Sequence, residues 1–119
     1  MASSTYRDLI AWQQAMEFAV QIYEVTKSFP RDVIYCLTNQ MRRAANSVPC
    51  NIAEGHGRRT KKDFSHFLSI ANGSLREVET QITISERLGY LEPSAATKLL
   101  EQTDRIGRLI KGLSRSLEK

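Results

Sequence analysis

Apolar residues recur every three or four positions along most of this chain, and no stretch alternates with period two as a half-buried strand would. From about Arg7 to Ser28, the residues Leu9, Trp12, Met16, Val20 and Tyr23 form one stripe. Phe18, Ile22, Val25 and Phe29 form a second beside it, so the segment reads as a helix with a broad apolar face. Phe29-Pro30-Arg31-Asp32 ends it, because proline disfavours helical φ/ψ at the residue before it. A second helix is predicted from about Val33 to Glu54, carrying Leu37, Met41, Ala45, Val48 and Ile52 on one face. Pro49 lies inside it and has no amide for the carbonyl of Ala45, which predicts a kink or local unwinding there. Gly55-His56-Gly57 is the expected stop, with glycine free to take the left-handed cap conformation.

The third pattern is the most regular. Phe64, Leu68, Ala71, Leu75, Val78, Ile82 and Ser85 keep strict 4-3 spacing, the seam of a left-handed bundle. Thr60 is the expected N-cap with Asp63 three residues on, and Gly89 the expected C-terminal stop, so this helix should span about Thr60 to Leu88. At a rise of about 1.5 Å per residue it would make a rod of roughly 42 Å. Leu91 is placed to fold back over its end. Ala71, Gly73 and Ser74 are small mid-helix residues where another backbone could approach closely. A fourth helix opens at Glu92-Pro93 and runs to about Leu117 through Leu99, Thr103, Ile106, Ile110, Leu113 and Leu117. Arg105, Arg108, Lys111 and Arg115 in its later turns suit the negative end of the helix dipole. Short connections make neighbours antiparallel. The predicted fold is all-α, an antiparallel up-down-up-down four-helix bundle of one domain covering residues 1–119.

Composition changes this picture only at the margins. With 41% hydrophobic and 25% charged residues the chain is an ordinary globular protein, and its formal net charge of +4 favours an anionic partner without requiring one. The opening MASSTYRDLIAWQQ lacks a basic segment followed by an apolar run, so no signal peptide is expected. No membrane span is expected either. Cys36 and Cys50 would sit about 21 Å apart along one helix, which argues against an internal disulfide and fits a reducing cytoplasm. No CxxC or HxxxH spacing supports a metal, and no cofactor is implied.

Charge is concentrated in Arg42 to Asp63, which holds six of the seventeen Lys and Arg residues: Arg42, Arg43, Arg58, Arg59, Lys61 and Lys62. Arginine suits bidentate phosphate contact and lysine looser neutralisation, so these six are the candidate nucleic-acid-binding set. Arg58 and Arg59 precede a helix start, where unpaired amides add anion affinity. The competing reading is a solvated basic turn whose arginines meet acids on a neighbouring subunit. Base stacking should be weak, since Phe64, itself a core candidate, is the only aromatic residue at this rim.

Other candidates read as structural. Asn51, Glu54 and Gly55 follow Pro49 and could satisfy the carbonyl it frees; Glu54 could instead pair with Arg42 or Arg43 of another subunit. Glu77 and Glu79 are two apart on a helix and point to different faces, so they make no paired-carboxylate site. Gln81, Ser74 and Thr80 read as interhelical hydrogen bonders. Gly55-x-Gly57 follows no strand and is no nucleotide fingerprint. Arg59 and His66 have the loose spacing of a HEPN-like ribonuclease pair, but share a side only if the third helix already includes Arg59.

The quoted residues resemble a known family. Arg7-Asp8-Leu9-x-x-Trp12-Gln13, Phe29-Pro30 and Leu37-x-x-Gln40-x-Arg42-Arg43-Ala44 carry the first part. Ser47-x-Pro49-x-Asn51-Ile52-Ala53-Glu54-Gly55-x-Gly57-Arg58, the run Phe67 to Thr80 and Leu88-Gly89-Tyr90 carry the rest. Together they resemble the 23S rRNA intervening-sequence proteins, small bacterial four-helix bundles, and more distantly the accessory protein of diversity-generating retroelements. The resemblance covers nearly the whole chain. It departs at His56, where relatives carry an aromatic residue, and at Val33, where they tend to carry an acid. It implies a homo-oligomeric ring, a pentamer, in which Pro49, Asn51, Glu54, Gly55, Gly73 and Glu77 serve structure or assembly. For the retroelement relatives it implies a basic surface that binds nucleic acid. Most such relatives have no established biochemical role.

The expected function is therefore a non-catalytic, oligomeric accessory or scaffold factor that binds RNA or single-stranded DNA through its basic rim. The alternative is a protein-interaction or structural module that uses the same arginines between subunits. The HEPN-like ribonuclease is the minor third reading.

Overall fold

The computed structural model describes residues 5–118; the opening residues 1–4, part of the segment read as lacking a leader, lie outside the described residues. Four helices carry the fold: α1 (Ile10–Thr26), α2 (Asn39–His56), α3 (Lys61–Arg87) and α4 (Pro93–Ser116). Each packs against the next and α4 closes on α1, giving the antiparallel four-helix bundle, a rod of 46 × 25 × 21 Å. No helix of the described residues is long and apolar enough to cross a membrane.

The α3 seam forms as its spacing requires. Leu68, Ala71, Leu75, Val78, Ile82 and Ser85 are buried, and Phe64 packs against the core from a half-buried position. Thr60 caps the helix, its Oγ1 accepting from the Asp63 amide at 3.0 Å. At the other end Gly89 takes φ +80°; its amide donates to the Glu86 carbonyl (3.0 Å) and the Tyr90 amide to that of Ser85 (2.9 Å). That is a Schellman motif, and Leu91 just beyond it is buried in the core. On α4, Leu99, Thr103, Ile106 and Ile110 are buried in the predicted order.

The first two helices differ from the sequence reading. A short 3₁₀ turn at Tyr6–Asp8 precedes α1, and Leu9 is extended between them, so the helix starts three residues later than predicted. The face of α1 that enters the core is Ala11, Ala15, Phe18, Ala19, Ile22 and Thr26. Phe18 and Ile22 belong to the second predicted stripe; three members of the first, Met16, Val20 and Tyr23, are exposed, Val20 at 53%. Alanines win the inner face because short side chains let helix axes approach while Phe18 and Ile22 fill the space between.

Before α2 the chain runs through a 3₁₀ turn, Arg31–Val33, and a π-helical turn, Ile34–Thr38. α2 stays helical through Pro49, whose ring is buried, so unwinding does not occur there. The helix continues to His56, and Gly57 ends it at φ −80°, so the left-handed cap predicted at Gly55-His56-Gly57 is not used. Gly55 has a different role. A Cβ built there would lie 2.7 Å from Phe67 Cβ and 2.9 Å from Phe64 Cδ1, so only glycine lets α3 cross α2 this closely. Gly73 is the reverse case: a Cβ there would meet nothing within 4 Å, so no backbone of this chain packs on it.

Of the three polar residues read as bridging helices, one does so: Ser74 and Ser47 share a hydrogen bond of 2.8 Å between α3 and α2. Gln81 donates to Glu77 (3.4 Å) and Thr80 to the Arg76 carbonyl (3.0 Å), both within α3. The α3–α4 tie is one the sequence reading omitted. Glu79 accepts from Thr103 Oγ1 on α4 and from Arg76 Nη1, each at 2.6 Å.

Candidate nucleic-acid interface

The unbroken course of α2 separates the six candidate cations. Arg42 lies in its first turn and Arg58 just past its end, about 24 Å apart at the usual helical rise. The set divides into a pair near the α1–α2 connection and four residues at the α2–α3 turn.

Arg42 is committed to the fold. Its Nε donates to Thr26 Oγ1 at 2.9 Å, and its guanidinium carbon sits 4.9 Å from the centre of the Tyr23 ring. Thr26 and Tyr23 belong to the last turns of α1, so the charge also meets the negative end of that helix. Arg43 is exposed and lines a shallow depression with Gln40, Ser47, Ser74 and Glu77 between α2 and α3.

The other four cations are consecutive but for Thr60, and all are exposed. Arg58 donates from Nη2 to Glu54 at 2.8 Å and lies over Phe67, 4.8 Å from the ring centre. That ion pair is within the chain, one helical turn apart. Asn51 likewise turns to its own helix, donating to the Ser47 carbonyl at 2.8 Å rather than to the carbonyl that Pro49 frees. Arg59 and Lys62 make no ion pair with the described residues. The α3 N-terminus is less open to anions than expected, because Thr60 caps it and Asp63 adds a carboxylate to its first turn.

Antiparallel packing adds charge to this end from far along the chain. Ser65 and Ser114 share one groove, and Arg76 rests against Gly107, so the last turns of α4 return to the level of the first turns of α3. Lys111 and Arg115 thus join Arg58, Arg59, Lys61 and Lys62 at one end of the rod. The dipole argument that explained them in sequence gave no hint of this meeting. Tyr6 also reaches this end, where it lines a depression with Cys50, Glu54 and Arg58. It corrects the expectation that the rim holds no aromatic residue besides Phe64. Tyr6 stands edge-on to Trp12 at 5.2 Å, and the Arg7 guanidinium lies 5.5 Å from both rings.

Other candidate chemistry does not assemble. Arg59 precedes the first residue of α3, so the condition for aligning it with His66 is unmet; His66 is exposed and packs edge-on to Phe67 at 5.8 Å. Cys36 and Cys50 are free and exposed. Among the described residues, no three His, Cys, Asp or Glu side chains converge as metal ligands.

No curated protein matches the chain. Among solved structures, it is similar to a protein of unknown function from the S23 ribosomal protein family of Bacteroides thetaiotaomicron. The TM-score is 0.81 at 21% identity, covering 89% of this chain and 96% of that one. At such identity the likeness speaks for the fold. The family model for the 23S rRNA-intervening sequence protein matches residues 7–112, nearly the full bundle, and the chain belongs to that family.

Proposed function

We propose that this protein is a non-catalytic, oligomeric accessory or scaffold factor that binds RNA or single-stranded DNA through the end of the bundle formed by the α2–α3 turn. The observation that carries the reading is the grouping of Arg58, Arg59, Lys61 and Lys62 with Lys111 and Arg115. Opposing it are Glu54, spent on Arg58, and Asp63 beside the Thr60 cap. Exposed cations on a rigid helical frame give charge-driven contact with a phosphate backbone and little base readout. Tyr6 offers one stacking surface, too little for sequence preference.

Assembly is part of the same proposal. Met16, Val20 and Tyr23 leave an apolar stripe on the outside of α1, and Ile70, Ile84 and Leu88 leave one on the outside of α3, flanking the open Gly73. α1 and α3 sit diagonally in the bundle, so these stripes face different ways. Contact of one with the other would be heterologous, the kind that closes into rings. A pentamer at +4 per chain would carry +20 and convert weak phosphate contacts into firm binding by multivalency. The same apolar stripes favour the second reading, a protein-interaction module, if their occupant is a different protein.

Filter binding of an oligonucleotide in rising salt tests the nucleic-acid reading. Retention at low salt with a log–log slope of several units supports it; no retention, or affinity indifferent to salt, defeats it. Light scattering on the same sample tests assembly, and a stable monomer would remove the multivalency argument.

A further inference from the structure

One flank of α3 carries Lys62, Ser65, Ser69, Asn72 and Arg76 at 3-4-3-4 spacing, a polar stripe beside the apolar seam. A helix flank facing a neighbour ordinarily carries long side chains whose stems cover the junction. Here serines and an asparagine face Gly107 across the junction. The shortfall in side-chain volume leaves an open groove of about 440 Å³ between α3 and α4, floored by the buried Leu68 and Ile110.

Two cations border this groove, and they differ. Arg76 is fixed by Glu79 (2.6 Å) and by Asn72 Oδ1 (3.3 Å). Its Nη2 lies 2.8 Å from where a Gly107 Cβ would be, so the missing side chain on α4 is the seat of the guanidinium. Glu79 offsets its charge, yet Arg76 keeps unused N–H donors already held in place, which lowers the entropy cost of a new contact. Lys111, across the groove, makes no ion pair with the described residues. The groove therefore offers one net positive charge, a preorganised guanidinium and several short neutral donors. Hydroxyl and amide donors beside Lys and Arg are the groups that contact phosphate and sugar oxygens.

The stripe begins at Lys62, within the basic turn. It runs to Arg76 over about 21 Å, enough for about six phosphates of a stacked strand at roughly 3.4 Å each. We propose that the α3–α4 groove is a second phosphate-contact surface, continuous with the α2–α3 turn, along which the sugar–phosphate backbone of one polynucleotide strand runs. The proposal rests on the nucleic-acid reading of the turn and extends it by giving the bound strand a path and a polarity of contact. The turn attracts by charge, and the groove holds by hydrogen bonds.

The test uses the full chain, with Lys111→Gln and Ser69→Glu as groove variants and Arg59→Gln/Lys62→Gln as the turn variant. Each is titrated with labelled oligodeoxythymidine and oligouridine, in a short form that spans the turn alone and a long form that spans turn and groove. The parent should bind the long form more tightly than the short. Lys111→Gln should weaken the long form about threefold to fivefold and lower its salt slope by about 0.7, the loss of one single-strand phosphate contact, with a smaller loss for the short form. Ser69→Glu should weaken the long form by about tenfold, since it adds a charge repelled by the backbone. A shared loss with both oligomers marks the phosphate backbone as the ligand, and a loss confined to oligouridine adds the ribose hydroxyl to it. If both groove variants bind the long form like the parent while the turn variant is weakened, the groove proposal falls and the turn reading stands. If the parent retains neither oligomer at low salt, both fall.

Discussion

Two basic regions sit at opposite ends of α2, and they do opposite things with the same residue type. At the α1–α2 corner Arg42 is spent on the fold: it donates to the buried Thr26 hydroxyl and stacks on Tyr23. At the α2–α3 turn Arg59 and Lys62 project without an ionic partner among the described residues, and Arg58 holds an exposed ion pair with Glu54 and lies over Phe67. The difference lies in what each cation has beside it. Arg42 emerges next to the last turn of a neighbouring helix, whose hydroxyl and carbonyl groups need a donor. The turn cations emerge where two helices end, beside the short turn that carries Tyr6. Charge in a sequence marks where cations are, and packing decides which are available.

Substitutions can break or sharpen this contrast. The largest effect is expected at Gly55, whose contact with Phe64 and Phe67 sets how closely α3 leaves the turn. Gly55→Ala should cost about 1–3 kcal/mol through overpacking, read as a lowered denaturant midpoint. A neutral result would mean that the crossing is not tight. Arg42→Ala should cost about 1–2 kcal/mol by leaving Thr26 without its donor and Tyr23 uncovered, with nucleic-acid affinity close to the parent's. A large loss of affinity at unchanged stability would place Arg42 in the binding surface after all. Gly73→Ala, on the open face of α3, should raise stability by about 0.5–1 kcal/mol, because alanine is the better helix former and meets no neighbour. A destabilised monomer, or an oligomer that dissociates, would show that a second backbone sits there. Arg59→Gln and Lys62→Gln should each change the thermal midpoint least, within about 0.5 kcal/mol, as exposed residues without partners do.

The parts of the fold that were legible in the sequence are those where one local signal suffices. The α3 seam is written in large aliphatic residues at fixed spacing, and Gly89 is the one glycine with positive φ. Less legible were features that depend on a neighbour. The periodicity of α1 offers two stripes without ranking them, and the bundle buries the one carrying Phe18, Ile22 and Phe29 together with the alanines beside it, because α2 and α4 come close. The π-helical turn at Ile34–Thr38 contains neither glycine nor proline to announce it. Glycine at position 55 looks like a helix stop until Phe64 and Phe67 are placed against it.

The candidate site shows the same limit. The four turn cations were visible as a run, but Arg42 and Arg43 were grouped with them only by proximity in sequence. The helix between them, continuous through Pro49, carries them to the other end. Lys111 and Arg115 were visible only as charges at the end of their own helix. Their meeting with the turn is a property of antiparallel packing, as is the groove whose Gly107 seats Arg76.

The central claim is that binding strength resides at the turn end and not at the α1–α2 corner. Its most direct test compares the salt dependence of oligonucleotide affinity for the parent, for Arg42→Ala and for the combined Arg58→Gln/Arg59→Gln/Lys61→Gln/Lys62→Gln variant. The account predicts a parental slope for Arg42→Ala and, for the combined variant, a slope reduced by about 2–3 with affinity lowered by about a hundredfold. An unchanged slope in the combined variant, or the larger loss in Arg42→Ala, would contradict it.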